Sequence, residues 1–214
     1  MKIKNKLYSF FIRVTLRLHN FCYRVISKLV LLENNGTHPK HRIMDYGSFF
    51  VNNVNESDKV IDIGCGKGEV AYLISSRAKA VVAVDLKEKN INHAKNKFRC
   101  ANLIYIVADA VSYKWDQKFD KVILSNVLEH IDDRINFLQK LHSVASTILL
   151  RVPMINRDWL VMYKKEKGVD YRLDPTHFIE YDLNTLFAEM AQSNWKIESY
   201  SVQFGEFWGV VKAI

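Results

Sequence analysis

Short apolar runs alternate with amphipathic stretches along most of the chain after residue 58. The runs KVIDIG, AVVAVD, LIYIVAD and FDKVILSNV are rich in valine and isoleucine, and stretches such as EVAYLISSRA, KEKNINHAKNKF and DDRINFLQKLHSV carry apolar residues at helical spacing. Strands that are apolar on both faces are typical of parallel sheets covered by helices. The pattern therefore predicts an α/β fold with an open, doubly wound sheet.

The last two apolar segments, WKIESYSVQ and EFWGVVKA, are separated only by Phe204 and Gly205. Two strands joined by so short a connection pair as an antiparallel hairpin. The sequence thus predicts a mostly parallel, seven-stranded sheet that ends in an antiparallel C-terminal hairpin.

A basic amphipathic helix precedes this sheet. Its apolar residues recur every three or four positions, at Leu7, Phe11, Val14, Leu18, Phe21, Val25 and Leu32. Arg13, Arg17, Arg24 and Lys28 interrupt the region, so it fits neither a signal peptide nor a membrane-spanning helix. We expect residues 1–42 to form this helix and a linker, and residues 43–214 to form the main domain. The helix can pack on its own domain or a second subunit as a homodimer, bind an anionic membrane surface through residues 1–32, or bind another partner.

Net charge separates the same two regions. The chain has a formal charge of +8, and residues 1–42 hold nine basic residues against one acid, Glu33. The rest is neutral overall, so the main domain has no net field that gathers polyanions, and nucleic acid is not an expected partner. The 3 cysteines are far apart in the chain, which favours a reducing, cytoplasmic location over a disulfide framework or a thiolate metal site.

The turn after the first strand carries three glycines in VIDIGCGKGEVA. Glycines at a strand-to-helix turn permit positive φ angles and let a ligand approach the main chain. The spacing is neither that of a phosphate loop nor that of a dinucleotide fingerprint. Asp85 ends the second strand, where a carboxylate can accept ribose hydroxyl protons, and Asp109 ends the third, where it can accept from an adenine amino group.

These residues resemble a class I S-adenosylmethionine-dependent methyltransferase of the small-molecule branch, most strongly over residues 58–152. The resemblance implies a Rossmann-like fold, S-adenosylmethionine as cofactor and S-adenosylhomocysteine as product. It implies that the glycine loop holds the methionine part of the cofactor, Asp85 the ribose and Asp109 the adenine. The implied cofactor-binding residues are Asp62, Gly64, Cys65, Gly66, Gly68, Asp85, Leu86, Asp109, Ala110, Ser125, Asn126 and Val127.

Two histidines are candidate catalytic bases for a hydroxyl acceptor. His130 follows the fourth strand, and His177 lies in LDPTHFIEY after the fifth. Some members of the family hold a divalent ion with a Glu-x-x-Glu-His cluster and a later histidine. Because Asn126 stands at the first position of that cluster here, Glu129, His130 and His177 remain as a poor set for a hard cation, and we expect no metal.

The stretch 153–181 is longer than a simple connection and reads as an acceptor-binding insertion or lid. It mixes flat aromatic faces with directional polar groups, which suits a saccharide or another polyhydroxylated acceptor. The expected acceptor-binding residues are Arg157, Trp159, Tyr163, Tyr171, Arg172 and Asp174.

We therefore expect a methyltransferase that methylates oxygen on a saccharide, a lipid-linked saccharide or another small polar acceptor, and that lies on the cytoplasmic membrane face if the helix binds lipid. Loose similarity to methyltransferases of surface-saccharide precursors supports a role in polysaccharide biosynthesis. The alternatives are an RNA methyltransferase that uses the basic helix and a cofactor-binding pseudoenzyme without turnover.

Overall fold

A computed structural model describes residues 2–214, with side chains described from Lys4 onward. The chain forms two compact units: residues up to Asp45 together with Ile155–Pro175, and Tyr46–Met154 together with Thr176–Ile214. The sequence pattern predicts 153–181 as an insertion or lid within a domain of residues 43–214, and in the structure Ile155–Pro175 groups with the N-terminal helix. The predicted domain boundaries stay a prediction.

The larger unit contains a seven-stranded sheet in the order β3-β2-β1-β4-β5-β7-β6. The strands are β1 (Lys59–Ile63), β2 (Ala80–Asp85), β3 (Leu103–Val107), β4 (Lys121–Ser125), β5 (Thr147–Pro153), β6 (Trp195–Gln203) and β7 (Glu206–Ala213). Strands β1 to β5 pair in parallel, and β7 pairs antiparallel with both β5 and β6. The predicted mostly parallel sheet with an antiparallel hairpin is confirmed.

Helices alternate with most of the strands of this unit, as the sequence pattern predicts. They are α3 (Tyr46–Asn52), α4 (Glu69–Ser75), α5 (Glu88–Lys97), α6 (Arg134–Leu141) and α8 (Leu183–Gln192), with a 3₁₀ turn at Leu128–His130. Asp133 and Asp182 cap the N-termini of α6 and α8, since each carboxylate accepts a backbone N–H three residues later. All seven residues of β5 are buried, as expected for an interior strand of a covered sheet.

The turn between β6 and β7 has positive φ at both of its residues, 53° at Phe204 and 71° at Gly205. Two successive positive φ angles match the twist of a tight hairpin. Strand β7 carries the hairpin into the sheet beside β5, so that β6 forms the edge.

The smaller unit contains α1 (Lys2–Glu33), α2 (Lys40–Met44) and α7 (Trp159–Glu166). The Asn20 amide donates a hydrogen bond to the main-chain oxygen of Asp170, and Lys164 Nζ lies 3.1 Å from His19 Nδ1. Leu16 is buried on the same helix. Among the residues described, no helix has both the length and the apolar character to cross a membrane.

Substitution Leu150→Ala tests the placement of the core. Leu150 is fully buried in β5 between β4 and β7, so the cavity left by the change is expected to lower the free energy of unfolding by about 2 to 5 kcal/mol. Val202→Ala on β6, which is 48% exposed, is the matched control and is expected to cost less than about 1 kcal/mol. Urea unfolding followed by circular dichroism measures both. Equal losses in the two variants would contradict this core.

Candidate functional site

The carboxyl ends of four neighbouring parallel strands, β3, β2, β1 and β4, meet at one edge of the sheet. The last residues of these strands and the segments that follow them contain the twelve residues predicted to bind the cofactor. Direct contacts join these segments: Cys65 N donates to Val84 O at 2.9 Å, and Ala108 N donates to Asp85 O at 3.2 Å. The structure thus brings together residues that lie up to 65 positions apart in sequence.

The glycine loop between β1 and α4 depends on left-handed backbone angles. Gly64, Gly66 and Gly68 have φ of 70°, 55° and 89°. A Cβ at Gly64 would lie 2.5 Å from Val127 Cγ2, and one at Gly68 would lie 2.8 Å from Ala94 Cβ, whereas one at Gly66 would meet no atom within 4 Å. Gly64 and Gly68 are therefore required for packing, and Gly66 leaves open space at the loop.

Asp85 joins the glycine loop to the end of β2. Its Oδ2 accepts from Gly66 N at 2.9 Å, and its Oδ1 accepts from Lys87 N and from the Asn90 amide. An ionised carboxylate has about four acceptor positions, so roughly one remains for a ligand after these three bonds. The neighbouring Leu86 side chain is 68% exposed.

Asp62, near the end of β1, is buried, and only one of its two carboxyl oxygens has a hydrogen-bond partner. Its carboxyl group accepts a hydrogen bond from the backbone of Ala71, while Oδ2 has no hydrogen-bond partner. Burial, reinforced by the nearby Asp85 charge, raises the pKa of Asp62 to about 8. A buried, protonated carboxyl at this edge supplies both a donor and an acceptor.

Asp109 follows β3 and closes a turn. Its Oδ1 accepts from Val111 N and its Oδ2 accepts from Ser112 Oγ, both at 3.0 Å. The side chain is exposed and Ala110 beside it is half-buried, so acceptor positions on the carboxylate face solvent. Tyr105, a buried residue of β3 that sequence reasoning missed, has a hydroxyl group without a partner.

Ser125, Asn126 and Val127 end β4 and begin the next turn. Asn126 has a φ of 56°, its N–H donates to Arg151 O at 2.8 Å, and its buried Oδ1 has no partner. An unpaired acceptor held by a left-handed backbone is costly, which is typical of a functional site.

A buried ion pair supports this turn and was not foreseen. Arg151 in β5 donates to both carboxylate oxygens of Glu206 in β7, and to Ser125 Oγ at 3.2 Å. Its guanidinium carbon lies 3.8 Å from the Tyr46 ring centroid. An arginine inside the apolar run TILLRVP is the sequence signal for such a pair, because a buried charge needs a partner.

The two predicted catalytic histidines, His130 and His177, contact each other, and Glu180 lies beside His177. The rings of His130 and His177 make an edge contact, with centroids 4.5 Å apart. Thr176 Oγ1 lies 2.9 Å from His130 Nδ1, and Glu180 Oε1 lies 3.3 Å from the Nδ1 of buried His177.

Glu129, which sequence reasoning considered only as a metal ligand, is fully buried in this cluster and neither of its carboxylate oxygens has a hydrogen-bond partner. Burial raises the pKa of Glu129 to about 8. Donor atoms of Glu129, His130 and His177 all lie within 4.8 Å of one another, close enough to hold a metal ion. The expectation that no metal binds remains a prediction.

The residues predicted to bind the acceptor lie in the smaller unit. Arg157 Nη2 donates to Tyr171 O at 2.8 Å, which joins the two ends of the segment that contains α7. Trp159 is 73% exposed, and its ring centroid lies 6.0 Å from that of Tyr163. Arg172 and Asp174 are exposed. Trp159, Arg172 and Asp174 thus lie at the surface of this unit, and Arg157, Tyr163 and Tyr171 are partly buried.

Comparison with known proteins agrees with this geometry. Residues 60–147 match a protein family described as a methyltransferase domain. The chain is 34% identical over 108 residues to a probable cobalt-precorrin-6B C(15)-methyltransferase of Methanococcus maripaludis, a match that covers 46% of this chain and 57% of that protein. It is 36% identical over 87 residues to the ubiquinone biosynthesis O-methyltransferase of Pelagibacter ubique, covering 38% and 35% respectively. The chain spans between 26% and 57% of the length of such curated relatives.

Solved structures share the fold. Magnesium protoporphyrin IX methyltransferase from Synechocystis, solved with bound S-adenosylhomocysteine, superposes with a TM-score of 0.63 at 19% identity, over 82% of this chain and 83% of that one. A putative methyltransferase from Haloferax volcanii, solved in complex with the activator Trm112, gives a TM-score of 0.67 at 12% identity, over 82% and 92%.

Substitution Asp62→Asn tests the protonation of the buried carboxyl. The unfolded chain releases this proton near pH 3.8 and the folded protein releases it near pH 8, so ionisation favours unfolding as the pH rises between these values. Asparagine has no proton to release. The free energy of unfolding of wild type is therefore expected to fall relative to Asp62→Asn by up to about 1 kcal/mol per pH unit from pH 5 to pH 8.

Urea unfolding at several pH values measures this difference, and Asp116→Asn, at an exposed carboxylate, is the control. Parallel pH dependence of wild type and Asp62→Asn would show that Asp62 is ionised in the folded protein.

Proposed function

We propose that this chain, whose residues 60–147 match a methyltransferase domain, is a class I S-adenosylmethionine-dependent methyltransferase that transfers a methyl group to a small polar acceptor. The observation that carries the proposal is the single sheet edge where the glycine loop, Asp85, Asp109 and the turn at Asn126 meet. The proposal includes the activity of the whole protein, the acceptor that it methylates and the partners that it binds.

The residues at this edge suit S-adenosylmethionine in shape and in chemistry. The open space at Gly66 admits a ligand against the main chain. Unpaired buried oxygens of Asp62 and Asn126 and the unpaired Tyr105 hydroxyl offer polar contacts. Carboxylates such as those of Asp85 and Asp109 suit hydroxyl and amino groups as hydrogen-bond donors.

We assign the cofactor contacts accordingly. Asp62 and the loop Gly64–Gly68 would hold the methionine part, and the remaining acceptor position of Asp85 would take one ribose hydroxyl. Asp109 and Ala110 would hold the adenine, while Leu86 and Ser125–Val127 would line the site. S-adenosylmethionine, when bound, supplies an electrophilic methyl group on a positively charged sulfur.

The protein's own task is to orient the acceptor and to take its proton. We propose that His177 accepts the proton of an acceptor hydroxyl as the oxygen gains the methyl group. Glu180, 3.3 Å from His177 Nδ1, would stabilise the resulting imidazolium. His130, in edge contact with His177, would orient that ring or serve as the alternative base. Proton transfer of this kind contributes about 10²- to 10⁴-fold to a rate.

We propose a saccharide or lipid-linked saccharide as the acceptor, on the cytoplasmic side of the membrane. Support comes from the aromatic and charged residues of 155–175. Trp159, Arg172 and Asp174 are exposed, and Arg157, Tyr163 and Tyr171 are partly buried. Names of the relatives cover corrinoid, quinone and porphyrin acceptors, so they do not narrow the choice. An RNA acceptor is the second candidate, since α1 is basic along its length.

Calorimetric titration with S-adenosylmethionine and S-adenosylhomocysteine tests the cofactor site. Wild type is expected to bind both, and Asp85→Ala is expected to lose at least about tenfold in affinity, because it removes the ribose contact and the bond that holds Gly66. Asp116→Ala, an exposed control, is expected to bind as wild type does. Absence of binding to well-folded wild type would refute the assignment.

Substitution His177→Gln tests the base. Once an acceptor is found among nucleotide-linked and lipid-linked sugars, the variant is expected to lose about 100-fold or more in kcat with unchanged affinity for S-adenosylhomocysteine. His93→Gln, on α5 away from the cluster, is the control. Dialysis against a chelator is expected to leave wild-type turnover unchanged. An unaltered kcat in His177→Gln would exclude His177 as the base.

A further inference from the structure

Helix α1 carries two separate rows of side chains along its length. The apolar row follows steps of four and three residues through Leu7, Phe11, Val14, Leu18, Phe21 and Val25. The basic row follows steps of seven and four residues through Lys6, Arg13, Arg17, Arg24 and Lys28. At about 100° per residue, the two rows lie roughly 90° apart around the helix axis.

The apolar row points away from the packed face of the helix. Leu16, which is 5% exposed, marks the packed face, and the apolar row is centred on the opposite side of the wheel. Its six side chains are between 36% and 57% exposed. An apolar face of this length on an exposed helix of 32 residues marks an interaction surface.

A cavity of about 320 Å³ lies on the basic side of the same helix. Arg17, Asn20 and Arg24 line it together with residues 168–170. The Asn20 amide donates to the main-chain oxygen of Asp170, which holds the loop at the cavity mouth. Arg17 and Arg24 lie two turns, roughly 10 Å, apart on one side of the helix. The guanidinium group of each can donate two N–H bonds to phosphate oxygens.

The apolar row can be covered by another protein helix or by a lipid surface, and the positive charges of Arg17 and Arg24 favour one of the two. A coiled-coil partner would place its own flanking residues beside Arg17 and Arg24, and such seams pair opposite charges. No acidic residue occurs in the sequence before Glu33, so the α1 helix of a second copy, paired along this row, would place only like charges beside Arg17 and Arg24. An anionic lipid surface instead complements both rows, since it offers acyl chains to one and phosphates to the other.

We propose that α1 lies on an anionic membrane surface, with its apolar row among the acyl chains and with a lipid phosphate bound between Arg17 and Arg24. The helix lies along the interface and does not cross the membrane. This assignment does not depend on methyl transfer, although a membrane-bound enzyme would meet a lipid-linked acceptor.

Sedimentation of the full chain with lipid vesicles tests the proposal. The vesicles are phosphatidylcholine alone and phosphatidylcholine mixed with phosphatidylglycerol in roughly equal parts. Wild type is expected to bind the mixed vesicles and to lose affinity at high salt. Arg17→Gln/Arg24→Gln is expected to bind them about 30-fold more weakly, and Leu18→Ser/Phe21→Ser at least about tenfold more weakly.

The matched control is Arg77→Gln/Lys79→Gln, which removes two exposed positive charges from the larger unit and is expected to bind as wild type does. Circular dichroism and calorimetry with S-adenosylhomocysteine on each variant separate a loss of lipid binding from a loss of fold or of the cofactor site.

Several results would overturn the proposal. Equal binding to both vesicle types would contradict the proposed binding of a lipid phosphate between Arg17 and Arg24. Unchanged binding of Arg17→Gln/Arg24→Gln to the mixed vesicles would contradict it as well. A dimer found by light scattering without lipid and abolished by Leu18→Ser/Phe21→Ser would assign the apolar row to a second copy. RNA binding that needs the arginines but not Leu18 and Phe21, without vesicle binding, would assign the basic row to nucleic acid.

Discussion

Parallel pairing of β1, β2, β3 and β4 is the constraint on which the site depends. Strands that run in one direction place the turns that follow them at the same edge of the sheet. This edge therefore brings together four features that are far apart in the chain: the glycine loop, Asp85, Asp109 and Asn126. Parallel strands in turn require helices on both faces, because each strand is apolar on both sides. The same requirement explains the runs of valine and isoleucine and the buried β5.

Buried polar groups accumulate at this edge, and each raises the cost of the fold. Asp62, Asn126 and Glu129 each have at least one buried oxygen without a partner. The Arg151–Glu206 pair joins β5 to β7, and Arg151 also donates to Ser125 at this edge, so each of these charges is buried with a partner. Polar groups that are held but not satisfied are what a ligand site needs, since a bound molecule can complete their hydrogen bonds.

The smaller unit combines parts of the chain that are far apart in sequence. Helix α1 and residues 155–175 join through Asn20 and Asp170, and through His19 and Lys164. The segment proposed to bind the acceptor therefore belongs to the same unit as the helix proposed to bind lipid. If the acceptor is lipid-linked, α1 would bind the membrane that carries the acceptor, and residues 155–175 would bind the acceptor itself.

Local pattern alone determined the strands, the hairpin turn at Phe204 and Gly205, and the glycine loop with Asp85, because side-chain alternation and backbone freedom are properties of neighbouring residues. It also placed His130 and His177 as candidates. Tertiary structure decided what depends on distant partners: the Arg151–Glu206 pair, the burial of Glu129 beside both histidines, and the union of 155–175 with α1. The sequence signals only that Arg151, inside an apolar run, needs a partner. It does not identify that partner or the other contacts, because the burial of a charge, and therefore its pKa, is set by residues that only folding brings near.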